Sequence, residues 1–443
     1  MEFNLRPRSL GQIGAVTFPL LLALVAQANA SADALADYVH RADDSFAWKK
    51  TEQWQTNSFQ VVELDCVSQT WRGQPWHHHL LLARPAELRH ADIAFLFITG
   101  SGKVERELDL LQTLADRAGA IAAVINEVPN QPLYDGLKED DLIAYTFEHY
   151  LESGDPTWPL LFPMVKSAVR GMDAVTAEAQ ADLGGHITRF LVGGASKRGW
   201  TTWLTAAVDG RVAAIAPMVI DMPNMNAQAQ WAQQMYGGQS EQINAYTKLH
   251  LTERTDPAMV TLRSWVDPFS YRARYTMPKL LLLGTDDPYW VVDSLRHYWN
   301  ELPDPKLVFQ TPNAGHDLAG GREAIPVLAG FFQMIADRQA PPRMTWEFKS
   351  ESPESATVTV NLSQPAQAFK LWTAVSTNRD FRTSSWSSAD LAAASRTNVT
   401  AQVGKPETGF RAYLVEAEMK ASTGDDYKLS TEARVIPDGP PGK

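Results

Sequence analysis

A serine in this chain of 443 residues lies where a buried strand changes directly into a helix. The segment Phe190–Trp200 reads FLVGGASKRGW, so Ser196 follows an apolar run and two glycines. Small neighbours let the backbone turn tightly and lift the serine hydroxyl into a cleft, which is the setting of a nucleophile elbow. Serine alone is a poor nucleophile, so the hypothesis requires a base and an acid elsewhere in the chain.

Two downstream segments offer these partners in the order serine, acid, histidine. The apolar segment Leu280–Leu283 is followed by GTDD, which places Asp287, or its neighbour Asp286, directly after a strand. His316 lies in the loop NAGHD before the last helix. This order is the one expected for a serine on a strand–turn–helix elbow.

The elbow departs from the usual Gly-x-Ser-x-Gly pattern in one position. Arg198 stands where the second glycine is expected, and Gly199 comes one residue later. The alternative interpretation is that Ser196 only caps a helix and that His316 is an ordinary loop histidine. The strand–turn–helix context and the order of the partners favour the catalytic interpretation.

An oxyanion hole requires backbone N–H groups close to the serine. The N–H of Lys197 and one N–H from the glycine turn at Gly100, Ser101 and Gly102 are the candidates. The side chains of Lys197 and Arg198 either add positive charge at this point or pair with acids.

Several other residues are candidates for substrate binding. The consecutive acids Glu139, Asp140 and Asp141 either bind a cationic group or begin a helix, where acids suit the helix dipole. The remaining candidates could line the cleft or simply pack against their neighbours, and they are Arg198, Trp200, Trp231 and Tyr236.

These residues need a parallel sheet to bring them together. Strands are predicted at 93–98, 121–125, 190–192, 213–220 and 279–283, and the continuous apolar run at 93–98 is typical of a strand buried on both faces. Segments with helical spacing of apolar residues alternate with them. The pattern predicts a doubly wound α/β sheet.

Two segments depart from that alternation. A polar stretch rich in Gln and Asn, at about 222–278, predicts a helical cap inserted into the sheet. After the linker at 340–342, short alternating segments separated by Ser/Thr-rich turns predict a small all-β sandwich, immunoglobulin-like in architecture. We therefore expect an α/β domain at 31–340 and a β-sandwich domain at 341–443.

Residues 1–30 have the pattern of a signal peptide. Arg6 and Arg8 precede an apolar run at 15–25, and Ala28 and Ala30 form a small-x-small cleavage site. The run is too short to span a membrane, and no later stretch approaches eighteen apolar residues. We expect cleavage after Ala30 and export to the periplasm or outside the cell.

Composition excludes several classes of function. The 40 basic and 51 acidic residues give a net charge of −11, which argues against nucleic acid or an anionic membrane surface as a partner. One cysteine, Cys66, allows no disulfide and no cysteine-based zinc cluster within one chain. His77 and His79 would share one face of a strand, but no third ligand is placed beside them, so ordinary strand histidines are favoured over a metal site.

Motifs along nearly all of the chain after residue 30 resemble the PhoPQ-activated pathogenicity-related protein family. They are Trp76–His78, Pro129–Leu133, Glu139–Tyr145, Pro163–Lys166, Arg170–Asp173, Gly194–Leu204, Asp221, Asn224–Met225, Tyr236–Gly238, Asp287 and Asp293–Ser294. The resemblance implies an α/β-hydrolase fold, and it implies that Asp287 rather than Asp286 is the acid. Pro288 stands where members commonly carry an acidic residue. The elbow spacing is also similar to that of glucuronoyl esterases, and the architecture is similar to that of secreted prolyl-type peptidases.

We therefore expect an exported serine hydrolase with the triad Ser196, Asp287 and His316. It would cleave an ester or amide through an acyl-enzyme, with no cofactor or metal. The elbow spacing favours a carboxylesterase acting on carbohydrate or cell-wall esters. Two alternatives are a secreted peptidase of prolyl or dipeptidyl-peptidase type and a non-catalytic secreted binding or signalling protein. The expected partner is a small molecule, peptide or carbohydrate.

Overall fold

The structure is a computed structural model that describes residues 1, 34–56, 58–101, 104–352, 354–421 and 426–441. The predicted signal peptide, apart from residue 1, and Gly102 of the glycine turn lie outside the described residues. Within the described part of the chain, no helix combines the length and the apolar character needed to cross a membrane.

A mixed sheet of nine strands forms the centre of the molecule. Its strands are β1 (Ala47–Gln55), β2 (Phe59–Trp71), β3 (Gln74–Pro85), β4 (His90–Ile98), β5 (Ala120–Ile125), β6 (Arg189–Ala195), β7 (Val212–Met218), β8 (Lys279–Gly284) and β9 (Lys306–Thr311). Their order across the sheet is β1-β2-β3-β5-β4-β6-β7-β8-β9. The strands from β5 to β9 in this order are parallel, whereas β1, β2 and β3 pair antiparallel. The predicted doubly wound α/β fold is confirmed.

Helices cover both faces of this sheet. They are α1 (34–40), α2 (Val104–Ala118), α3 (Glu139–Ser153), α4 (Leu161–Glu178) and α5 (Lys197–Val208). Successive residues of a strand point to opposite faces, so Phe95 packs in the layer that contains Leu111 of α2, whereas Leu96 packs with Met164 of α4 and Trp203 of α5. An apolar layer therefore packs on each face of the sheet. The turns at the strand ends are not needed for this packing and can form a site.

The segment between β7 and β8 is helical, as predicted for the cap. It contains α6 (Met225–Tyr236), α7 (Asn244–Thr247), α8 (Pro257–Val266) and short 3₁₀ segments at Glu241–Ile243 and Pro268–Arg274. Asp256 caps the first turn of α8, because its carboxylate accepts from the N–H of Met259. The cap packs against the same apolar layer as α4 and α5.

The last sheet helix, α9 (Ala324–Ala336), leads into antiparallel strands. One sheet has the order β10-β11-β14, with β10 (Met344–Ser352), β11 (Ser355–Leu362) and β14 (Asn398–Gly404). The other has the order β13-β12-β15-β16, with β17 also paired to β15, and contains β12 (Ala368–Ser376), β13 (Ser387–Asp390), β15 (Phe410–Lys420), β16 (Asp426–Ser430) and β17 (Arg434–Ile436). The all-β character predicted for this part of the chain is confirmed.

Candidate active site

Ser196 occupies a strained turn between β6 and α5. Its backbone angles are φ 58° and ψ −125°, in a region that residues other than glycine rarely adopt. The Ser196 N–H donates to the carbonyl oxygen of Met218 at 2.9 Å, and its own carbonyl oxygen accepts from the N–H of Trp200 at 2.9 Å. Hydrogen bonds to β7 and to α5 thus keep Ser196 in this strained backbone conformation.

The two glycines around Ser196 are placed where the strand and helix backbones approach most closely. A Cβ atom at Gly194 would lie 2.6 Å from the carbonyl oxygen of Arg198, and one at Gly199 would lie 2.9 Å from the carbonyl oxygen of Gly194. Glycine is therefore required two residues before the serine and three residues after it. This geometry accommodates Arg198 at the position where the usual motif has glycine.

The side chain of His316 contacts Asp287. His316 Nδ1 lies 2.9 Å from Asp287 Oδ2, and Asp287 Oδ1 accepts from the backbone N–H of Tyr289 at 3.0 Å. A carboxylate only accepts hydrogen bonds, so Nδ1 carries the proton and Nε2 of the neutral ring has its lone pair free. Asp286 instead accepts from the hydroxyl of Thr285 at 2.9 Å, and burial raises the pKa of Asp286 to about 6.

Ser196, Asp287, His316 and Gly100 all follow the carboxyl ends of parallel strands, namely β6, β8, β9 and β4. These ends meet at one edge of the sheet, which is where open α/β sheets place their ligands. Within the described residues, no hydrogen bond joins Ser196 Oγ to His316 Nε2, and Nε2 is buried without a hydrogen-bond partner. The imidazole is therefore oriented by Asp287 while its other nitrogen remains available for a proton.

Lys197 and Arg198, which follow the serine, are both paired with acids at the start of α3. Arg198 Nη1 and Nη2 each lie 2.7 Å from a carboxylate oxygen of Glu139, and Lys197 Nζ lies 2.7 Å from Asp140 Oδ2. Arg198 Nε also donates to the carbonyl oxygen of Val128 at 2.6 Å. The acids thus begin a helix and neutralise the two cations beside Ser196.

Electrostatics keep Glu139 ionised in this cluster. Burial alone would raise the pKa of Glu139, but the hydrogen bonds and charge of Arg198, with smaller effects of Gln131 and Lys197, lower it to about 2. The pKa of Lys197 is raised, because the attraction of Asp140 outweighs the effect of burial. Both residues therefore remain charged across the physiological range.

Arg198 also supports the glycine turn after β4. A Cβ atom at Gly100 would overlap the Arg198 guanidinium, so the backbone at Gly100 packs directly on this side chain. Lys197 is the first residue of α5, and the first N–H groups of a helix have no partner within the helix. Arg198 thus connects the two backbone segments that were predicted to supply an oxyanion hole.

A cavity of about 160 Å³ adjoins Ser196 and Lys197. Three of the predicted substrate-binding residues, Asp140, Trp200 and Tyr236, contribute to its wall. The rest of the wall is mostly apolar. It comes mainly from the cap and from the loop after β8, including Met222, Met225, Leu251, Met259, Leu262, Val266, Trp290 and Val291. The sequence does not mark these apolar residues as parts of a site, because their pattern is the same as that of a packed core.

The other candidates do not belong to this wall. Glu139, Asp141 and Arg198 are not among the lining residues of the cavity. Trp231 donates from Nε1 to Asp293 Oδ1 at 2.9 Å and lies beneath the guanidinium of Arg379, whose Cζ is 5.1 Å from the ring centroid. Trp231 therefore connects the cap to the C-terminal sheets.

Tyr289 is a site residue that sequence reasoning missed. Its ring stacks on the His316 imidazole, with centroids 4.3 Å apart and planes at 29°. The same ring lies 5.7 Å from Lys197 Nζ and borders the cavity. The only signal for it was an aromatic residue two positions after the acid.

The strand histidines have ordinary structural contacts. His78 is buried, with Nε2 2.8 Å from Ser68 Oγ and Nδ1 2.9 Å from the carbonyl oxygen of Asn126. His79 lies 3.2 Å from a carboxylate oxygen of Glu63. Among the described residues, no group of three or more His, Cys, Asp or Glu side chains is arranged to hold a metal ion.

Comparison with known proteins gives a relative over most of the chain. The autocrine proliferation repressor protein A of Dictyostelium discoideum is 32% identical over 463 aligned positions, which cover 94% of this chain and 93% of the relative. Two solved structures have weaker likeness. Acetyl xylan esterase 1 from a Thermoanaerobacterium species is 16% identical, covers 70% of this chain and 93% of its own, and has a TM-score of 0.49. The acetyl xylan esterase of a Paenibacillus species is 15% identical, covers 72% of this chain and 96% of its own, and has a TM-score of 0.47.

The family comparison agrees with the resemblance given by the sequence motifs. A family model matches residues 35–382, which include the elbow, the acid loop, the histidine loop and the cap. The chain belongs to the PhoPQ-activated pathogenicity-related protein family.

Proposed function

We propose that this protein is a serine hydrolase of the carboxylesterase type, with Ser196 as nucleophile, His316 as base and Asp287 as the acid that orients it. The observation that carries the proposal is the strained backbone of Ser196 at the same sheet edge as the Asp287–His316 pair. Backbone strain at a single residue is retained only where the surrounding structure enforces it, and it is characteristic of catalytic serines on this fold.

In the proposed acylation step, Ser196 Oγ forms a bond to the carbonyl carbon of the substrate. The serine proton passes to His316 Nε2, and the carbonyl electrons move to the oxygen, which accepts hydrogen bonds from the N–H of Lys197 and of the Gly100–Ser101 turn. The tetrahedral intermediate collapses, the bond to the alcohol breaks, and the leaving alcohol takes the proton from Nε2. Asp287 stabilises the imidazolium that exists between these two transfers.

Deacylation repeats the sequence with water as the nucleophile. His316 takes a proton from water, the hydroxyl oxygen attacks the acyl carbon, and Ser196 leaves with the proton returned by Nε2. The products are a carboxylic acid and an alcohol. We retain carbohydrate or cell-wall esters as the substrate class, on the elbow spacing, and export as the destination, on the pattern of residues 1–30. We also propose that the chain divides at 340–341 into the α/β domain and the β-sandwich domain.

A fluorophosphonate probe tests the mechanism, because it reacts only with an activated serine. We expect labelling of the folded wild-type protein and loss of labelling in Ser196→Ala. Ser388→Ala, which changes an exposed serine of β13, is the matched control and keeps the label. A wild-type protein that remains unlabelled while folded would refute the hydrolase.

A second candidate is a secreted signalling or binding protein that retains the fold without catalysis. The name of the Dictyostelium relative, a proliferation repressor matched over 94% of this chain, favours it. The same labelling experiment separates the two candidates, because a binding protein does not need an activated serine.

A further inference from the structure

The cavity beside Ser196 has a predominantly apolar wall. The cap supplies Met225, Met259 and Leu262, and the loop after β8 supplies Val291. Contact of an apolar ligand group with methionine and leucine side chains is favourable because it removes apolar surface from water. The flexible methionine side chain also adapts its shape to the ligand. The cavity therefore favours a hydrocarbon group over a sugar or a charged residue.

The charged groups of this wall already have partners in the protein. Lys197 pairs with Asp140, and the hydroxyl of Tyr246 donates to Asp140 Oδ1 at 2.9 Å. Arg263 donates to the carbonyl oxygens of Leu251 at 2.9 Å and Thr252 at 3.4 Å, and burial lowers its pKa. An uncharged ligand leaves these interactions intact, whereas a charged ligand would have to replace some of them.

Tyr289 lies between the cavity and the histidine. It borders the cavity and stacks on His316, whereas His316 is not among the lining residues. The leaving group of an acyl transfer has to reach the proton on His316 Nε2. The part of the substrate in the cavity is therefore the acyl group, and the alcohol lies on the other side of the Tyr289 ring.

The volume of the cavity limits the size of the acyl group that it can bind. An apolar protein cavity of about 150 Å³ holds a benzene ring, and this cavity measures about 160 Å³. We propose that the cavity is an acyl-binding site that selects an uncharged apolar acyl group of about four to six carbons or a single aromatic ring. The proposal rests on the proposed hydrolase function.

A series of 4-nitrophenyl esters from acetate to dodecanoate measures the selection. Each buried methylene contributes about 0.8 kcal/mol, or roughly a fourfold change in rate, so kcat/KM should rise about 15-fold from acetate to butanoate. It should reach its maximum at four to six carbons and fall for longer chains. A flat profile, or a maximum at acetate, would overturn the proposal.

Two variants of α6 provide a matched pair. Ala232→Phe adds a ring to the wall of the cavity and should reduce the ratio of butanoate to acetate activity toward one. Ala227→Phe makes the same change on the same helix at a residue that does not line the cavity, and it should leave the ratio unchanged. If Ala232→Phe does not fold, Met225→Ala enlarges the cavity and should move the maximum to longer acyl chains. Equal ratios in all variants would contradict the proposal.

Two further comparisons separate acyl from alcohol and neutral from anionic groups. A series of alkyl acetates varies the alcohol, and a chain-length maximum in that series alone would move the apolar group to the leaving side. The wild type should prefer the butanoate ester to 4-nitrophenyl monosuccinate, whose acyl group is anionic. The opposite preference, lost in Arg263→Gln, would overturn the proposal that the acyl group is uncharged.

Failure of the hydrolase and failure of the cavity proposal have different signatures. Fluorophosphonate labelling with a flat acyl profile keeps the hydrolase and rejects the acyl site. If no ester is cleaved, toluene binding tests the cavity directly, because a ligand of the folded state raises the unfolding temperature. An apolar binding site would be supported, even without catalysis, if toluene raises the unfolding temperature of the wild type and Ala227→Phe but not of Ala232→Phe. Equal changes of the unfolding temperature in all three proteins would reject this site.

Discussion

Asn313 and Trp386 exchange two hydrogen bonds between the histidine loop and the C-terminal strands. Asn313 Nδ2 donates to the carbonyl oxygen of Trp386 at 3.0 Å, and the N–H of Trp386 donates to Asn313 Oδ1 at 2.7 Å. Asn313 itself has a φ of 58° and lies three residues before His316. The C-terminal strands therefore help to fix the loop that carries the proposed base.

Replacement of this asparagine should lower both activity and stability. Asn313→Gly retains the positive φ but loses both bonds, which should cost about 1–3 kcal/mol of unfolding free energy. We expect kcat to fall about tenfold with little change in KM, because His316 loses its position while the cavity is unaffected. Asp135→Gly, at another exposed residue with positive φ, is the control and should leave kcat unchanged. A change in KM alone would contradict the role of this contact.

The two adjacent aspartates after β8 should respond very differently to amidation. Asp287→Asn removes the carboxylate that holds Nδ1–H of His316, and kcat/KM should fall by about 10⁴-fold, as it does for an orienting aspartate in other triads. Asp286→Asn should have little effect on activity. Steady-state kinetics on a butanoate ester compares the two, and a larger loss in Asp286→Asn would reassign the acid.

The buried carboxyl of Asp221 should make the protein less stable as the pH rises from about 4 to 8. Asp221 is buried and accepts from the hydroxyl of Tyr298 at 2.7 Å, and both Asp221 and Asp287 border a cavity of about 10 Å³. Burial raises its pKa to about 8, against an effect of the Tyr298 hydrogen bond and in the same direction as the charge of Asp287. A raised folded pKa means that the stabilisation is complete below the unfolded value near 3.8 and is lost as the pH rises through 8.

Asp221→Asn tests this prediction, because an amide can accept the same hydrogen bond and cannot ionise. The unfolding temperature of the wild type should fall between pH 4 and 8, and that of the variant should fall less. Parallel curves for the two proteins over this range would show that Asp221 is not the group responsible.

The ion pair of Arg198 and Glu139 should have the opposite pH dependence, with its stabilisation lost at acid pH. The pKa of Glu139 is about 2 against a usual value of 4.5, so its contribution is complete above pH 4.5 and is lost as the pH falls through 2. Glu139→Gln leaves the buried Arg198 without its carboxylate and should cost about 1–3 kcal/mol at pH 7. The cost stays below that of a fully buried pair, since the Glu139 side chain is 38% exposed.

Thermal unfolding from pH 2 to 7 measures this contribution. The difference between wild type and Glu139→Gln should shrink as the pH falls below 4. Glu152→Gln changes an exposed acid of the same helix and should give no comparable difference. A difference that is independent of pH would indicate that Glu139 acts through packing rather than charge.

Local features of the site could be predicted from the sequence, and contacts between distant segments could not. The elbow at Ser196 is local, because a buried strand, two glycines and a helix are adjacent in the chain. The order of Asp287 and His316 follows from the parallel sheet, since strand ends share an edge. Strand β9, which lies in the chain between the acid and the histidine, is not among the strands that the sequence pattern predicts.

The pairing of Arg198 with Glu139 crosses 59 residues of chain, and the sequence shows only that both charges exist. The same limit applies to Trp231, a candidate either for the cleft or for packing, which donates a hydrogen bond to Asp293. Both outcomes depend on how α3, α6 and the C-terminal strands pack around the sheet. Periodicity determines which face of an element is apolar, but it does not determine which polar groups meet across elements.

Gly199 provides a direct test of the elbow geometry. A Cβ atom there would lie 2.8 Å from Ile220 Cγ2 and 2.9 Å from the carbonyl oxygen of Gly194, so α5 has to move away from β6 in Gly199→Ala. We expect a loss of about 1–3 kcal/mol in unfolding free energy. Activity should fall as well, because the movement displaces the N–H of Lys197. Gly210→Ala adds the same methyl group where no atom lies within 4 Å and is the matched control. Full activity and stability in Gly199→Ala would show that the strand and helix do not approach as closely as this geometry requires.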